Sequence, residues 1–134
     1  MARLRELLDA DWARLLEVSG QPNRRRRWHH SFSPRFASIV LIRVAGGLHQ
    51  QGWRRLAKLV ALVNFLLFGI EVPPSLRIGA GLVIPHTQGT ILGAGYIGEN
   101  VTIFHQVTLG ARTVDFAFDP ALRGTPLDPQ ILGT

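Results

Sequence analysis

The chain has no cysteine among its 134 residues. Disulfides, thiolate-held zinc and a cysteine nucleophile are thereby excluded, and a reducing, cytoplasmic setting is expected. The opening residues, MARLRE, lack the continuous apolar run of a secretory signal. Nor does any apolar run reach the roughly 20 residues that span a bilayer. The longest, LAKLVALVNFLLFGI over residues 56–70, is interrupted by Lys58 and Asn64. It reads as a buried helix, with peripheral membrane contact as the minor alternative. Phosphate-cradling glycine fingerprints are missing too, since the glycines at Gly79 and Gly81 precede no helical pattern.

Charge is present but uneven. Residues 1–70 hold 12 Lys/Arg against 4 Asp/Glu, whereas residues 71–134 hold 3 against 5. A nucleic-acid module would set its basic and aromatic residues on one recognisable motif, and none is found, so no nucleic-acid partner is expected. Arg24 to Arg27 precede Trp28 and read as a solvated linker or as a contact for an anionic surface.

The first half has helical texture. Leu4, Leu7, Leu8, Leu15 and Leu16 recur at helical spacing, and Gly20 and Pro22 end the run. Ser33-Pro34 is a helix start with Pro at the first helical position. Phe36, Ile39, Val40, Ile42 and Leu48 continue that helix, Gly52 breaks it, and a third helix runs from about Trp53 to Phe68. After Gly69 the texture changes to Gly, Val, Ile and Thr. An apolar residue then returns every six positions, at Ile78, Ile84, Ile91, Ile97, Ile103 and Leu109, with Thr90 as one extra residue. Period six fits neither an α-helix nor an alternating hairpin, although a pair of ordinary hairpins is the competing reading. It is the period of a hexapeptide β-helix. Gly81, Gly95 and Asn100 fall where corners need unusual backbone angles, and Val101 and Val107 are small enough to pack inside.

The expected fold is therefore α+β: N-terminal helices followed by a short left-handed parallel β-helix of hexapeptide repeats. Its parts are an N-terminal helix and basic linker (1–32), a helical region (33–70), β-helix coils (71–114) and an irregular Pro-rich tail (115–134). The prolines at 120, 126 and 129 argue against regular coils in the tail, so the β-helix is expected to stop after about two coils.

From Arg43-Val-Ala-Gly-Gly-Leu-His-Gln-Gln-Gly, through Gly69-Ile-Glu-Val-Pro-Pro-Ser-Leu-Arg-Ile-Gly and His86-Thr-Gln-Gly-Thr-Ile-Leu-Gly, to Val107-Thr-Leu-Gly-Ala, the chain resembles the serine O-acetyltransferases and their relatives in polysaccharide gene clusters. That resemblance implies transfer of an acetyl group from acetyl-CoA, a co-substrate, to the hydroxyl of L-serine in cysteine biosynthesis, or to a sugar hydroxyl in the relatives. A further alternative is a shortened, inactive relative with a structural or assembly role. The resemblance also implies a small-molecule hydroxyl acceptor and a trimer-based homo-oligomer.

An alcohol is a poor nucleophile near neutral pH, and a base must take its proton as the new bond forms. Histidine suits this work, with an ordinary pKa of about 6.5. His86 matches the family's histidine in an aspartate–histidine–alanine–threonine–glycine stretch and is the candidate base. Taken without the motif it reads as a histidine on a β-helix face. Pro85 stands where the family has the aspartate. Glu71 falls where the family carries an acid that helps hold the serine ammonium, or is an exposed Glu at the helix-to-coil junction; Pro73 replaces the family's next histidine. His105, two residues after Ile103, is a candidate interface or site residue. No residues are assigned to the coenzyme. No metal is expected, because His86 and His105 have no third or fourth ligand in their company.

Overall fold

The structure, a computed structural model, describes residues 2–20, 27–33, 35–110 and 130–131. Three α-helices come first: α1 (Ala2–Val18), α2 (Ala37–Gln50) and α3 (Arg54–Phe68), with a 3-10 helix at Trp28–Phe32 between the first two. Six short strands follow: β1 (Ile70–Glu71), β2 (Arg77–Ile78), β3 (Thr90–Leu92), β4 (Tyr96–Ile97), β5 (Thr108–Leu109) and β6 (Gln130–Ile131).

The helices form where the apolar spacing predicts, except that α2 begins at Ala37 and not at the expected Ser33-Pro34 start. Leu8, Trp12, Leu15 and Leu16 make the buried stripe of α1, facing Phe36, Ile39 and Ile42 around α2. Trp12 stacks on His30 at a ring-centroid separation of 4.5 Å and meets Phe36 edge-on at 5.2 Å. Residues 28–30, read as linker, thus belong to a 3-10 helix that supports this aromatic cluster. Pro22, Arg24 to Arg26 and Pro34 lie outside the described residues. Between α2 and α3 the Ser38 hydroxyl donates to Asn64 Oδ1 at 2.9 Å, and Asn64 Nδ2 donates to the Ser38 carbonyl at 3.2 Å.

Helix α3 is not the buried helix expected. Its buried residues are Ala57 and Asn64, whereas Leu59, Leu62, Leu66 and Leu67 are all at least half exposed. Small and polar side chains meet α2 and the large apolar ones point away, the reverse of the usual arrangement.

Gly69 closes α3 in the left-handed conformation at φ 67°, where glycine carries no Cβ penalty. The chain then winds in coils whose strands stack in parallel. One sheet has the order β1-β3-β5 and a second β2-β4-β6, and a single bridge joins Val83 to Thr102 along a third line. Side chains alternate in each strand. Pairing of Ile70 with Thr90 and of Leu92 with Leu109 therefore builds inward columns, while Glu71, Ile91 and Thr108 form an outward one. Ile97 and Ile84 are fully buried in the same core.

Two details of the repeat differ from expectation. Ile91 is 42% exposed, and its neighbours Thr90 and Leu92 point inward instead. Leu92 stands eight residues after Ile84, whereas its partner Leu109 stands six after Ile103, so two residues are inserted before β3 and the inward anchor falls at Leu92. Among the corners, Gly81 and Asn100 do have positive φ, at 84° and 57°, but Gly95 does not, and Gly89 and Gln106 do. Gly81 has a further constraint, because a Cβ there would collide with the side-chain oxygen of Asn100 on the next coil.

Within 115–134 the described residues are Gln130–Ile131, which pair in parallel with Tyr96 and Ile97. All three strand-breaking prolines precede Gln130, so nothing prevents pairing there. Strand β6 forms a third row in its sheet, next to β4. The rest of that segment lies outside the described residues.

One buried ion pair joins the helices to the coils. Arg43 on α2 donates from Nε to Asp11 Oδ2 at 2.7 Å and from Nη2 to Asp11 Oδ1 at 2.8 Å. Its remaining donors reach the carbonyls of Ile78 at 2.7 Å and Gly79 at 2.7 Å. Asp11 Oδ1 also accepts from the backbone amides of Gly81 and Leu82, both at 2.9 Å. Asp11 is fully buried and Arg43 is 6% exposed. Breaking such a pair leaves a buried charge uncompensated. Asp11→Ala or Arg43→Ala is expected to cost about 3–5 kcal/mol in urea unfolding. An ordinary buried pair can be replaced by apolar residues at little cost, but here two amides and two carbonyls would each lose a partner, at about 1–3 kcal/mol apiece. The double variant Asp11→Leu/Arg43→Met is therefore expected to remain well below the parent; parent-like stability would contradict this assignment.

Candidate functional site

Val83 and Thr102 pair across adjacent coils, so residues 19 positions apart lie one above the other along that line. His86 and His105 have this offset. Each follows its buried isoleucine, Ile84 or Ile103, by two residues, and the two rings meet edge-to-face with centroids 5.7 Å apart and planes at 85°. Both side chains are exposed. The two histidines thus form one ledge on the outside of the stack. The sequence carries the signal for this pairing, since both occupy the same place in their hexads.

The backbone under the ledge is firmly held. The Thr87 hydroxyl donates to the Phe68 carbonyl at 2.7 Å and so covers the C-terminal end of α3. The Gly89 amide donates to the Gly69 carbonyl at 3.0 Å, and the Gln106 amide to Gln88 at 3.0 Å. The Ile103 amide donates to Val83 at 2.9 Å. Two exposed rings therefore stand on a pinned corner, which suits a group that must keep its position while exchanging protons with solvent or substrate.

Glu71 is placed on the β1-β3-β5 sheet. It lies on β1 in register with Ile91, and its side chain is exposed. Among the described residues, no hydrogen bond or ion pair links Glu71 to either ring. Pro85 precedes His86 and supplies no carboxylate to orient it. Among the described residues there is also no group of three or more His, Asp or Glu able to hold a metal ion. A small cavity of about 10 Å³ lies between α2, α3 and the β1–β2 connection, lined by Leu41, Ile42, Ala45, Asn64 and Val72 among others. It is water-sized and contains none of the candidate residues.

No family model matches the chain. Among curated proteins, it is 31% identical over 106 residues to serine acetyltransferase of Helicobacter pylori, an overlap covering 78% of this chain and 62% of that protein. To serine acetyltransferase of Mycobacterium tuberculosis it is 41% identical over 69 residues, covering 51% and 30% respectively. Among solved structures, serine acetyltransferase of Neisseria gonorrhoeae shares the fold with a TM-score of 0.70, at 24% identity over 86% of this chain and 44% of that one. Soybean serine acetyltransferase, solved in complex with serine, gives a TM-score of 0.68 at 29% identity over 82% and 45%.

The helical cap and its stack of parallel coils thus share their fold with solved serine acetyltransferases. In sequence, too, the chain is similar to serine acetyltransferases, over 78% of its own length for the Helicobacter protein. It spans 62% of the length of the Helicobacter relative and less than half of the solved structures.

Because both rings are exposed and the corner is held by backbone bonds, neither ring supports the fold. His86→Ala and His105→Ala are each expected to leave the urea midpoint within about 0.5 kcal/mol of the parent. A loss well beyond that in either variant would show the ledge to be structural.

Proposed function

We propose that the protein transfers an acetyl group from acetyl-CoA to the hydroxyl of L-serine, with His86 as the general base. The similarity to serine acetyltransferases over 78% of this chain carries the reading. The exposure of His86 on a pinned corner supports it. We further propose that the parallel coils wind as a left-handed β-helix; the six-residue period supports the β-helix, and the resemblance to serine acetyltransferases implies its hand.

The chemistry asks little of the chain beyond placement. The serine oxygen attacks the thioester carbonyl carbon while a ring nitrogen of His86 takes the hydroxyl proton. The tetrahedral intermediate collapses, the carbon–sulfur bond breaks, and the imidazolium returns its proton to the departing thiolate. A general base in this role contributes about 100- to 10,000-fold. Glu71 is proposed to pair with the acceptor's ammonium through a charge-assisted hydrogen bond. His105 is proposed to border the same site, one coil above the base. An open ledge excludes water poorly, so walls from neighbouring copies, in a trimer-based assembly, would complete the site. The protein is proposed to act in the cytoplasm.

Pro85 supports a second reading, in which the acceptor is a sugar hydroxyl. Without a carboxylate beside it, the histidine lacks the partner that the family's serine enzymes carry. Thiol release from acetyl-CoA, measured with L-serine and with a panel of sugars, separates the two. The first reading predicts serine-dependent release that falls about 100-fold or more in His86→Ala. Release with a sugar and none with serine would transfer the proposal to the second reading. No release with any acceptor from folded protein would overturn both.

A further inference from the structure

The exposed face of α3 is at odds with a helix that serves only to support the coils. Arg55, Leu59, Leu62 and Leu66 follow one another at helical spacing along its outward side, and Leu66 is 70% exposed. Leu56, Val63 and Leu67 flank them, and Trp53, 63% exposed, stands at the helix start. The apolar surface is contiguous, which sets it apart from the scattered exposed leucines of ordinary proteins.

The charges on α3 itself are all of one sign, the acid next in sequence being the exposed Glu71 beyond its C-terminal end. Residues 18–70 contain nine Lys/Arg and no Asp or Glu. Arg54, Arg55 and Lys58 are exposed in the first turns of α3, and Arg27 and Arg35 are exposed elsewhere in the helical part. A second copy of this chain docking through α3 would bring the same cations with no acid from this region to pair them. An anionic lipid surface supplies the missing charge and accepts the leucines together. Helix α3 has 15 residues, about 22 Å at 1.5 Å per residue, which is short of a bilayer core of about 30 Å. Among the described residues, no helix is long and apolar enough to cross a membrane. A helix of this length with a basic end, an exposed Trp and a leucine face lies in the plane of the interface.

We propose that α3 docks the protein onto an anionic membrane surface, its leucine face entering the headgroup–acyl boundary and Arg54, Arg55 and Lys58 pairing with lipid phosphates. The proposal is independent of the acyl-transfer reading.

The test is flotation of the full chain with vesicles of phosphatidylcholine alone and of phosphatidylcholine mixed with phosphatidylglycerol. The protein is expected to float with the mixed vesicles and not with the neutral ones. Each cation near an anionic surface is worth about fivefold in partitioning, so Arg54→Ser/Arg55→Ser is expected to weaken binding about 30-fold. Leu62→Ser/Leu66→Ser removes two large apolar groups and is expected to weaken it about 100-fold or more. All four side chains are exposed, so circular dichroism and the urea midpoint should be unchanged in both variants. Absence of flotation with the mixed vesicles would overturn the proposal. So would binding that is indifferent to the two arginines, which would mean apolar adsorption alone. So would an oligomer, seen by sedimentation in the parent, that Leu62→Ser/Leu66→Ser dissociates while the vesicles are ignored; α3 would then be an interface between copies.

Discussion

The fold depends on one buried carboxylate. Asp11 has no access to water, and a bare carboxylate in that position would cost several kcal/mol after relaxation. It is tolerated because Arg43 meets both oxygens and two backbone amides complete one of them. The amides belong to Gly81 and Leu82, at the corner of the first coil. The same guanidinium closes the carbonyls of Ile78 and Gly79 on the strand before that corner. Two helices distant in sequence and one coil corner are therefore satisfied together or not at all. Gly81 completes the constraint: its positive φ turns the amide toward Asp11, and the stacked Asn100 leaves no room for a Cβ.

This arrangement explains how a short stack of coils keeps a definite position against its helical cap. The strands are two or three residues long, and pairs that short provide little stability alone. Their inward columns share a single core with Leu8, Trp12 and Ile39. The ion pair then fixes the register of helices against coils in a way that apolar contact, which has no direction, does not. The histidine ledge inherits that order, since its corner is bonded to the end of α3 through Thr87 and Gly89.

Much of this was legible in the sequence. Three helices and the six-residue period follow from apolar spacing, because each anchor's burial dominates its local energetics. The period failed at Ile91, where inserted residues reset the phase and spacing alone could not show where pairing resumes. The pairing of Gln130 and Ile131 had no signal in spacing, because prolines stop strands locally and do not prevent a later return. The exposed face of α3 was misread for a related reason: hydrophobicity says that a helix seeks an apolar partner, but not that the partner lies within the same chain. Asp11 and Arg43 could have been found. Each interrupts an otherwise apolar helical stripe, Asp11 between Leu8 and Leu15 and Arg43 beside Ile39 and Ile42, and a charge in that position needs an opposite one. His86 is the candidate base through its motif, a role the resemblance implies. That His105 stands directly above it was also available, since both hold the same hexad position.

The central claim is that helical cap and coil stack form one cooperative unit through Asp11. Native-state amide hydrogen exchange at Gly81 and Leu82 tests it most directly. If the claim holds, both amides exchange only when the whole molecule opens, with the same opening free energy as Val40 in α2 and Val83 in the stack. Exchange at Gly81 and Leu82 that is about 100-fold faster, while Val40 and Val83 stay protected, would mean that the junction opens by itself and would contradict the claim.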